Sequence, residues 1–389
     1  MPAITPLREH PVAETARLEL PQGEIPLGFV QEGDRVFLIA RERSALWPVT
    51  ILRAGKAHLQ LPQAQVAGET RLVSQASEKE WVLGLFRTKY GPERYRKWYD
   101  RPARVLEVRL TEKLGSTEDP DRYNRWLEAE FDNVANDYDH HITGNRINRL
   151  LRDRSLSELR STFHGAHRLL EIGCGSGMET LHLLREGHEM VCVDISSQML
   201  RVVEEKARVE GLSERLATRK LALADLEKVL PDLGEGALDG AYSTYGALNC
   251  EPDLSRLPGT LHQLLRPRGH FVAGVYNRWC LFESFGYLLT LQGARAFGRR
   301  NRPVPVGTSR FCVDVYAHTP MDFLRLFSGT FRPLRLEGIP VILPPSDLVV
   351  YAEKLSRNFD VLSRWDARLG PRWPWKYLGD HFLLTLERT

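Results

Sequence analysis

The sequence predicts an α/β protein: a doubly wound, mostly parallel sheet covered by helices, preceded by a small, mostly-β domain. Three observations carry this reading. From residue 167 onward, strand-like runs that are apolar throughout alternate with helical segments, as expected of a parallel sheet buried on both faces. Between residues 27 and 110 the chain shows short runs with period-two alternation, the pattern of half-buried antiparallel strands. Between the two, "LTEKLGSTEDPDR" is polar and turn-forming and crossed by no strand pattern, which sets a boundary near residue 115. We take residues 20–112 as an accessory barrel-like domain and 120–389 as the larger domain.

In the first domain, "GFVQEGDRVFLIAR", "PVTILRAG", "AHLQLPQAQVAG", "ETRLVSQAS" and "ARVLEVRL" read as strands separated by Gly-Asp and Ala-Gly turns. One helix interrupts them. "SEKEWVLGLFRTKYG" opens with Ser77 and Glu80 three residues on, a capping box, and ends at Gly91. In the second domain the order is strand "HRLLEIG", a helix, strand "EMVCVDI", helix "SSQMLRVVEEKARVEG", strand "ATRKLALADL", strand "ALDGAYSTYG", helix "PDLSRLPGTLHQLL" and strand "GHFVAGVYN".

Composition narrows the function classes. The net charge is +3 from 53 basic and 50 acidic residues, so no global field invites nucleic acid, and none is expected as a partner. The N-terminal "MPAITPLREHPVAETARLEL" breaks with prolines and charges where a signal peptide needs an apolar stretch, and no window approaches the length of a membrane span. The five cysteines (Cys174, Cys192, Cys250, Cys280, Cys312) are an odd number and widely spaced, which suits neither a disulfide framework nor a zinc site and fits a reducing cytoplasm. The adjacent His140 and His141 do not make a metal pair, and no metal is expected.

The informative stretch is "LLEIGCGSGMETLHLL", where an apolar run breaks on Gly173, Gly175 and Gly177 and resumes with helical spacing. A strand, a glycine turn and a helix bring backbone N–H groups and a helix N-terminus up to a ligand. A dinucleotide fingerprint wants G-x-G-x-x-G, and Met178 stands where its third glycine belongs. The strand "VCVDIS" ends in Asp194, 21 residues beyond Gly173, where a carboxylate can accept from both hydroxyls of a ribose. Cys174 is a small turn residue, not a nucleophile.

With Glu171 ahead of the turn, "LLEIGCGSG" resembles the first motif of class I S-adenosylmethionine-dependent methyltransferases. The resemblance implies a Rossmann-like seven-stranded methyltransferase sheet, with "LGDHFLLTLER" as its last, antiparallel edge strand. It also implies S-adenosylmethionine as cofactor, an acid at Asp225 receiving the adenine amino group, and cofactor contacts from Glu171, Gly173, Gly175, Gly177, Asp194, Ile195, Met199, Asp225 and Leu226. "FDNVANDYDHH" is similar to the lead-in of the ubiquinone/menaquinone-methylating branch, which puts Tyr138 near the methyl donor. On the acceptor side, Tyr245, Asn249, Tyr276 and Asn277 fall at C-terminal strand ends. No dedicated base is recognisable.

"WCLFESFGYLLTLQGARAFGRR" and "FDVLSRWDARLGPRWPWKYL" are aromatic-rich. They suit a cap over an apolar or quinone-like small-molecule acceptor, and equally a cap packed on its own domain. The N-terminal domain resembles the split-barrel flavin- or deazaflavin-binding oxidoreductases, with Arg41, Arg43 and Trp47 as the residues of interest. Thr50 replaces that family's asparagine and its phosphate loop is missing, so a flavin is not the primary expectation and a barrel used for homodimerisation or substrate capture is. The expectation is a cytoplasmic methyltransferase. A bifunctional flavin-linked reductase and methyltransferase, and a non-catalytic S-adenosylmethionine-binding scaffold, stand beside it.

Overall fold

The computed structural model describes residues 15–20, 23–40, 47–61, 64–99, 104–115, 122–135, 138–289, 298–300, 304–308, 311–345 and 358–389. Contacts divide the chain into two compact units, residues 1–130 with 305–314, and residues 131–304 with 315–389. No described helix is long and apolar enough to cross a membrane.

The first unit holds β1 (Thr15–Leu20), β2 (Gly23–Glu32), β3 (Arg35–Ala40), α1 (Trp47–Ala54), β4 (Lys56–Leu61), β5 (Ala64–Leu72), α2 (Ala76–Tyr99) and β6 (Arg104–Gly115). The six strands close into an antiparallel barrel in the order β1-β2-β3-β6-β5-β4. Closure removes the free edges that a small sheet would otherwise present. The interior is filled by Leu18, Leu27, Leu38, Leu59 and Leu106. The stretch "PVTILRAG", expected as a strand, is α1: Trp47, Pro48 and Ile51 turn one face inward, and Gly55, at φ 68°, stops the helix. Its Val, Ile and Thr content misled, because burial of one helical face outweighs weak local preference. In α2, Gly91 (φ 75°, ψ 159°) does end a helix, but Pro92 starts another across a kink at Gly91.

The second unit opens with the C-terminal part of α3 (Arg122–Val134), then α4 (Tyr138–Thr143) and α5 (Arg146–Thr162). The sheet elements follow: β7 (Arg168–Ile172), α6 (Met178–Arg185), β8 (Glu189–Asp194), α7 (Ser197–Val209), β9 (Leu216–Lys220), the short α8 (Leu230–Leu233), β10 (Leu238–Ser243), α9 (Leu257–Leu264) and β11 (Leu265–Tyr276). After α10 (Leu281–Leu289) the chain forms the two-stranded β12 (Val304–Thr308) and β13 (Phe311–Val315), grouped almost entirely with the first unit, and then α11 (Pro320–Leu326), β14 (Phe331–Ile339), α12 (Phe359–Leu369) and β15 (His381–Arg388) of the second.

The seven strands run in the order β14-β15-β11-β10-β7-β8-β9. Strands β9, β8, β7, β10 and β11 are parallel, and β15 is antiparallel to both β11 and β14. The order reverses between β7 and β10, the topological switch point at which open α/β sheets bind ligands beyond their C-terminal strand ends. Two expectations change. The segment "LGDHFLLTLER" is not the edge: β15 lies between β11 and β14, buried along Phe382–Glu387, and β14, with Arg332–Arg335 exposed, is the edge strand. "ATRKLALADL" is a strand only to Lys220, and Leu223–Val229 coil as a 3₁₀ segment.

Candidate active site

The three glycines differ in what surrounds them. All are left-handed, with φ 71°, 52° and 75° at Gly173, Gly175 and Gly177, a conformation that L side chains adopt at a cost. A Cβ at Gly173 would lie 2.4 Å from Ala247 Cβ, and one at Gly177 would lie 2.7 Å from Val203 Cγ2 on α7. Both positions are glycine because another element packs against the turn. Gly175 is different: a Cβ there would meet only Tyr138 Cε1, at 3.8 Å. Gly175 therefore lies in ordinary contact distance of the Tyr138 ring, uncrowded by any other element, at the C-terminal end of β7.

Asp194 organises the turn. Its Oδ2 accepts from Gly175 N (2.8 Å) and its Oδ1 from Ser196 N (2.8 Å), so one carboxylate joins the glycine turn to the start of α7. Burial raises its pKa to about 6, with Asp132 adding to the rise and the backbone N–H bonds opposing it. A carboxylate has about four lone-pair sites, so acceptor capacity remains for ligand hydroxyls.

Two of the three aspartates of the lead-in "FDNVANDYD" are clamps; Asp137 lies outside the described residues. Asp132 accepts from Ser196 Oγ (2.6 Å) and Gln198 N (3.1 Å), at the N-terminus of α7. Asp139 accepts from Ser176 Oγ and from Lys206 Nζ (2.5 Å), and Lys206 also donates to Ser176 O (2.8 Å). Two elements are thereby fixed to the turn, and Tyr138 is held over Gly175. Burial pushes the Tyr138 hydroxyl up to about 12 against the pull of Arg152, so it is a neutral donor at physiological pH.

Glu171 faces the other way, into the interior, where Thr180 Oγ1 and Tyr242 Oη (2.8 Å) donate to its Oε2. Burial, followed by the charge of Glu179, raises it to about 8. The expectation that Glu171 touches a cofactor is replaced by a role behind the turn. Met199 is fully buried, and Leu226 is a member of the main core cluster. Ile195 and Asp225 are half-buried, and Asp225 pairs with Lys228 (2.8 Å). Cys174 is buried, and hydrogen bonding to Cys192 followed by burial pushes its thiol up, the opposite of an activated nucleophile.

On the acceptor side the structure separates the expected residues. Asn249 Nδ2 donates to Tyr276 O (3.2 Å) and Tyr316 O (3.0 Å) while its Oδ1 accepts from Tyr276 N (2.8 Å). Asn277 Nδ2 donates to Tyr377 O and Gly379 O (2.9 Å each), and its Oδ1 accepts from Trp279 N (3.2 Å). Both amides are engaged with backbone, so the substrate-side expectation is corrected: they fix the ends of β10 and β11. Tyr245 and Tyr276 do come together, each packing on the ring of His381 (centroids 6.4 and 5.2 Å). Tyr245 has φ 64°, a strained value for an aromatic residue. Its hydroxyl is buried without a hydrogen-bond partner, and burial raises its pKa. Arg152 lies 4.4 Å over the Tyr245 ring and donates Nη1 to both oxygens of Glu179 (2.7 Å each).

Sequence reading missed Arg152, Arg299, Asp380 and His381. Arg299 is buried, 4.1 Å over the Tyr276 ring, and donates to Glu283 Oε2 (2.7 Å) and Asp380 Oδ1 (2.6 Å). Asp380 Oδ2 lies 3.1 Å from His381 Nδ1. Burial alone would raise Asp380, but Arg299 and His381 overcome it and hold the carboxyl below the usual range. Among the described residues there is no group of three or more His, Cys, Asp or Glu side chains that could hold a metal. In the barrel, Trp47 is part of the core, and Arg41 and Arg43 lie outside the described residues, as do the side chains of His140 and His141.

Residues 170–273 match the model of a family described as methyltransferase domain, so this part of the chain is a methyltransferase domain, its strand order and glycine turn in agreement. Over 94 residues the chain is 39% identical to an 18S rRNA (guanine-N(7))-methyltransferase of Arabidopsis thaliana, covering 24% of this chain and 29% of the relative. Over 163 residues it is 27% identical to a ubiquinone biosynthesis O-methyltransferase of Methylococcus capsulatus, covering 40% of this chain and 63% of the relative. The chain thus spans less than two thirds of the length of these relatives. A solved 1,6-didemethyltoxoflavin-N1-methyltransferase from Burkholderia thailandensis aligns with TM-score 0.43 and 17% identity, over 70% of this chain and 92% of that one.

Proposed function

We propose that the protein transfers the methyl group of S-adenosylmethionine to a small acceptor with an apolar, quinone-like body. The observation that carries this is the uncrowded Gly175 beside the Tyr138 ring, its N–H orienting the Asp194 carboxylate at the strand ends. In this reading Asp194 accepts from the ribose hydroxyls, Ile195 and Asp225 flank the adenine, and the Gly173–Gly177 backbone receives the amino-acid end. When bound, the cofactor supplies an activated methyl and its own leaving group. The protein then has to orient the acceptor and exclude water, which can offset about 7–11 kcal/mol of barrier.

The aromatic rings of Tyr245, Tyr276 and His381 support an apolar, planar acceptor. So does the kinship with an enzyme named for ubiquinone biosynthesis. A flavin-linked activity gains nothing from Trp47, which is engaged in the barrel core. With this reading go a cytoplasmic setting and dimerisation through the barrel.

Isothermal titration with S-adenosylhomocysteine and, separately, NADH tests the proposal. Micromolar binding of the first, lost in Asp194→Ala, is expected. Binding of NADH in place of S-adenosylhomocysteine would overturn it.

A further inference from the structure

We propose that Asp380 and His381 form a proton-accepting dyad for the acceptor, and hence that the acceptor presents an O–H, a phenolic or enolic hydroxyl, to the methyl donor. The inference rests on the methyl-transfer reading above and deepens it.

The dyad sits where such a group is needed. His381 is the first residue of β15 and pairs in register with Tyr276, the last of β11, so it lies at the C-terminal, ligand-binding end of the parallel strands. Its Nδ1 is taken by Asp380, and Nε2 has no hydrogen-bond partner among the described residues. A Cβ at Gly246 would be 3.9 Å from that Nε2, and the next residue, Ala247, is the one packed on Gly173 of the glycine turn. One residue of backbone therefore separates the imidazole edge from the turn. Rings of Tyr245 and Tyr276 flank the imidazole. A second observation points to a polar ligand beside the Tyr245 ring: Tyr245 Oη, and Nε of Arg152 stacked over that ring, are both buried without partners.

The arrangement has the logic of an oriented base. A carboxylate on Nδ1–H selects the tautomer that leaves Nε2 as acceptor and stabilises the imidazolium once formed. Arg299 keeps Asp380 ionised by pairing with its other oxygen. In the step, a lone pair of the acceptor oxygen forms the new O–C bond to the methyl carbon. The S–C bond breaks, and its electron pair remains on sulfur as a neutral thioether. The hydroxyl proton passes to His381 Nε2 and then to solvent. His381 is the catalytic residue of this proposal, and Asp380 acts through it as a positioning residue.

The test uses the full chain, with a 4-alkylphenol and its 2,6-difluoro analogue, alike in shape and more acidic, as acceptor probes. General-base catalysis contributes about 10²–10⁴-fold, so His381→Gln should lower kcat/KM for the alkylphenol by at least about 100-fold. The difluorophenol, already ionised near neutrality, should lose far less. The variant's rate should also climb with pH where the wild type has reached a plateau. The groups facing the imidazole that could titrate in its place are Asp380, Tyr245 and Tyr276. Behind them stand Arg299, Glu283, Arg152, Glu179 and Tyr138, and the contrast between the two phenols separates the base from all of these.

Asp380→Asn should shift the pH profile without changing the affinity for S-adenosylhomocysteine. Because that variant removes one of the two carboxylates that pair with buried Arg299 and can fail to fold, His381→Gln carries the conclusion. Independently of turnover, ¹⁵N NMR of the S-adenosylhomocysteine complex should show the neutral His381 ring protonated on Nδ1. Equal losses for both phenols, an Nε2–H tautomer, or no transfer to either phenol by wild-type protein that binds S-adenosylhomocysteine would each overturn the dyad. Absence of S-adenosylhomocysteine binding would instead overturn the methyl-transfer reading on which it rests.

Discussion

Substituting Gly177 by alanine should destabilise the protein, while the same change at Gly175 should mainly weaken cofactor binding. At Gly177 two terms add. A left-handed φ of 75° costs a non-glycine residue about 1–2 kcal/mol. A Cβ placed 2.7 and 2.9 Å from the two methyls of fully buried Val203 costs about 1–3 kcal/mol more in overpacking. The expected loss is therefore about 2–5 kcal/mol, read as a lowered urea midpoint at constant slope. At Gly175 the backbone term is alike (φ 52°) but the Cβ meets only Tyr138, at 3.8 Å, so the stability loss should stop near about 1–2 kcal/mol. The methyl would instead stand between the turn and the Tyr138 ring, and S-adenosylhomocysteine affinity should fall. Val203→Ala added to Gly177→Ala removes the overlap, so the pair should be less costly than the sum of the singles by about 1–3 kcal/mol. Additivity of Gly177 and Val203, or equal stability losses at Gly175 and Gly177, would refute the claim that the two glycines serve different purposes.

Glu171 gives a pH signature. Its folded pKa, raised from 4.5 to about 8 chiefly by burial, means that its contribution to stability is fully present below 4.5 and is lost as pH rises through about 8. Glu171→Gln should flatten that decline, by at most about 1.4 kcal/mol per pH unit within the window, in urea titrations repeated across pH. Asn249→Ala deletes three bonds to the backbone of Tyr276 and Tyr316. It should cost about 2–4 kcal/mol in the same assay while leaving S-adenosylhomocysteine affinity of the folded protein unchanged; preserved stability with altered acceptor preference would restore the substrate-side role.

What the sequence made legible was whatever is written in a contiguous run. The apolar strands β7, β8, β10 and β11, the glycine spacing and the acid ending β8 each fit within a dozen residues, and all stand in the structure where their patterns put them. What it hid depends on neighbours far along the chain. "PVTILRAG" has strand-like composition, but the barrel interior it faces makes it a helix. Leu226 and Met199 stand beside cofactor motifs, yet the packing of distant strands and helices decides that they belong to the core.

The Asp380–His381 pair was hidden for a further reason. Adjacent residues within a strand point to opposite faces, so "DH" at a strand start reads as two unrelated side chains. Asp380 precedes the strand, however, and the chain there is bent. Its N–H donates to Pro340 O, its carbonyl accepts from Asn277 N, and its carboxylate is drawn inward by Arg299. That turn lets one aspartate oxygen reach the ring of its own neighbour. Arg299 is 81 residues away in sequence, so no local pattern could have announced it. The substitution that isolates this device is Arg299→Met with Asp380→Asn, which removes both buried charges together. If the arginine only holds the aspartate ionised for His381, the double variant should fold, bind S-adenosylhomocysteine, and show the alkylphenol defect of Asp380→Asn alone. A larger defect than that single variant's would mean that Arg299 also contacts the acceptor.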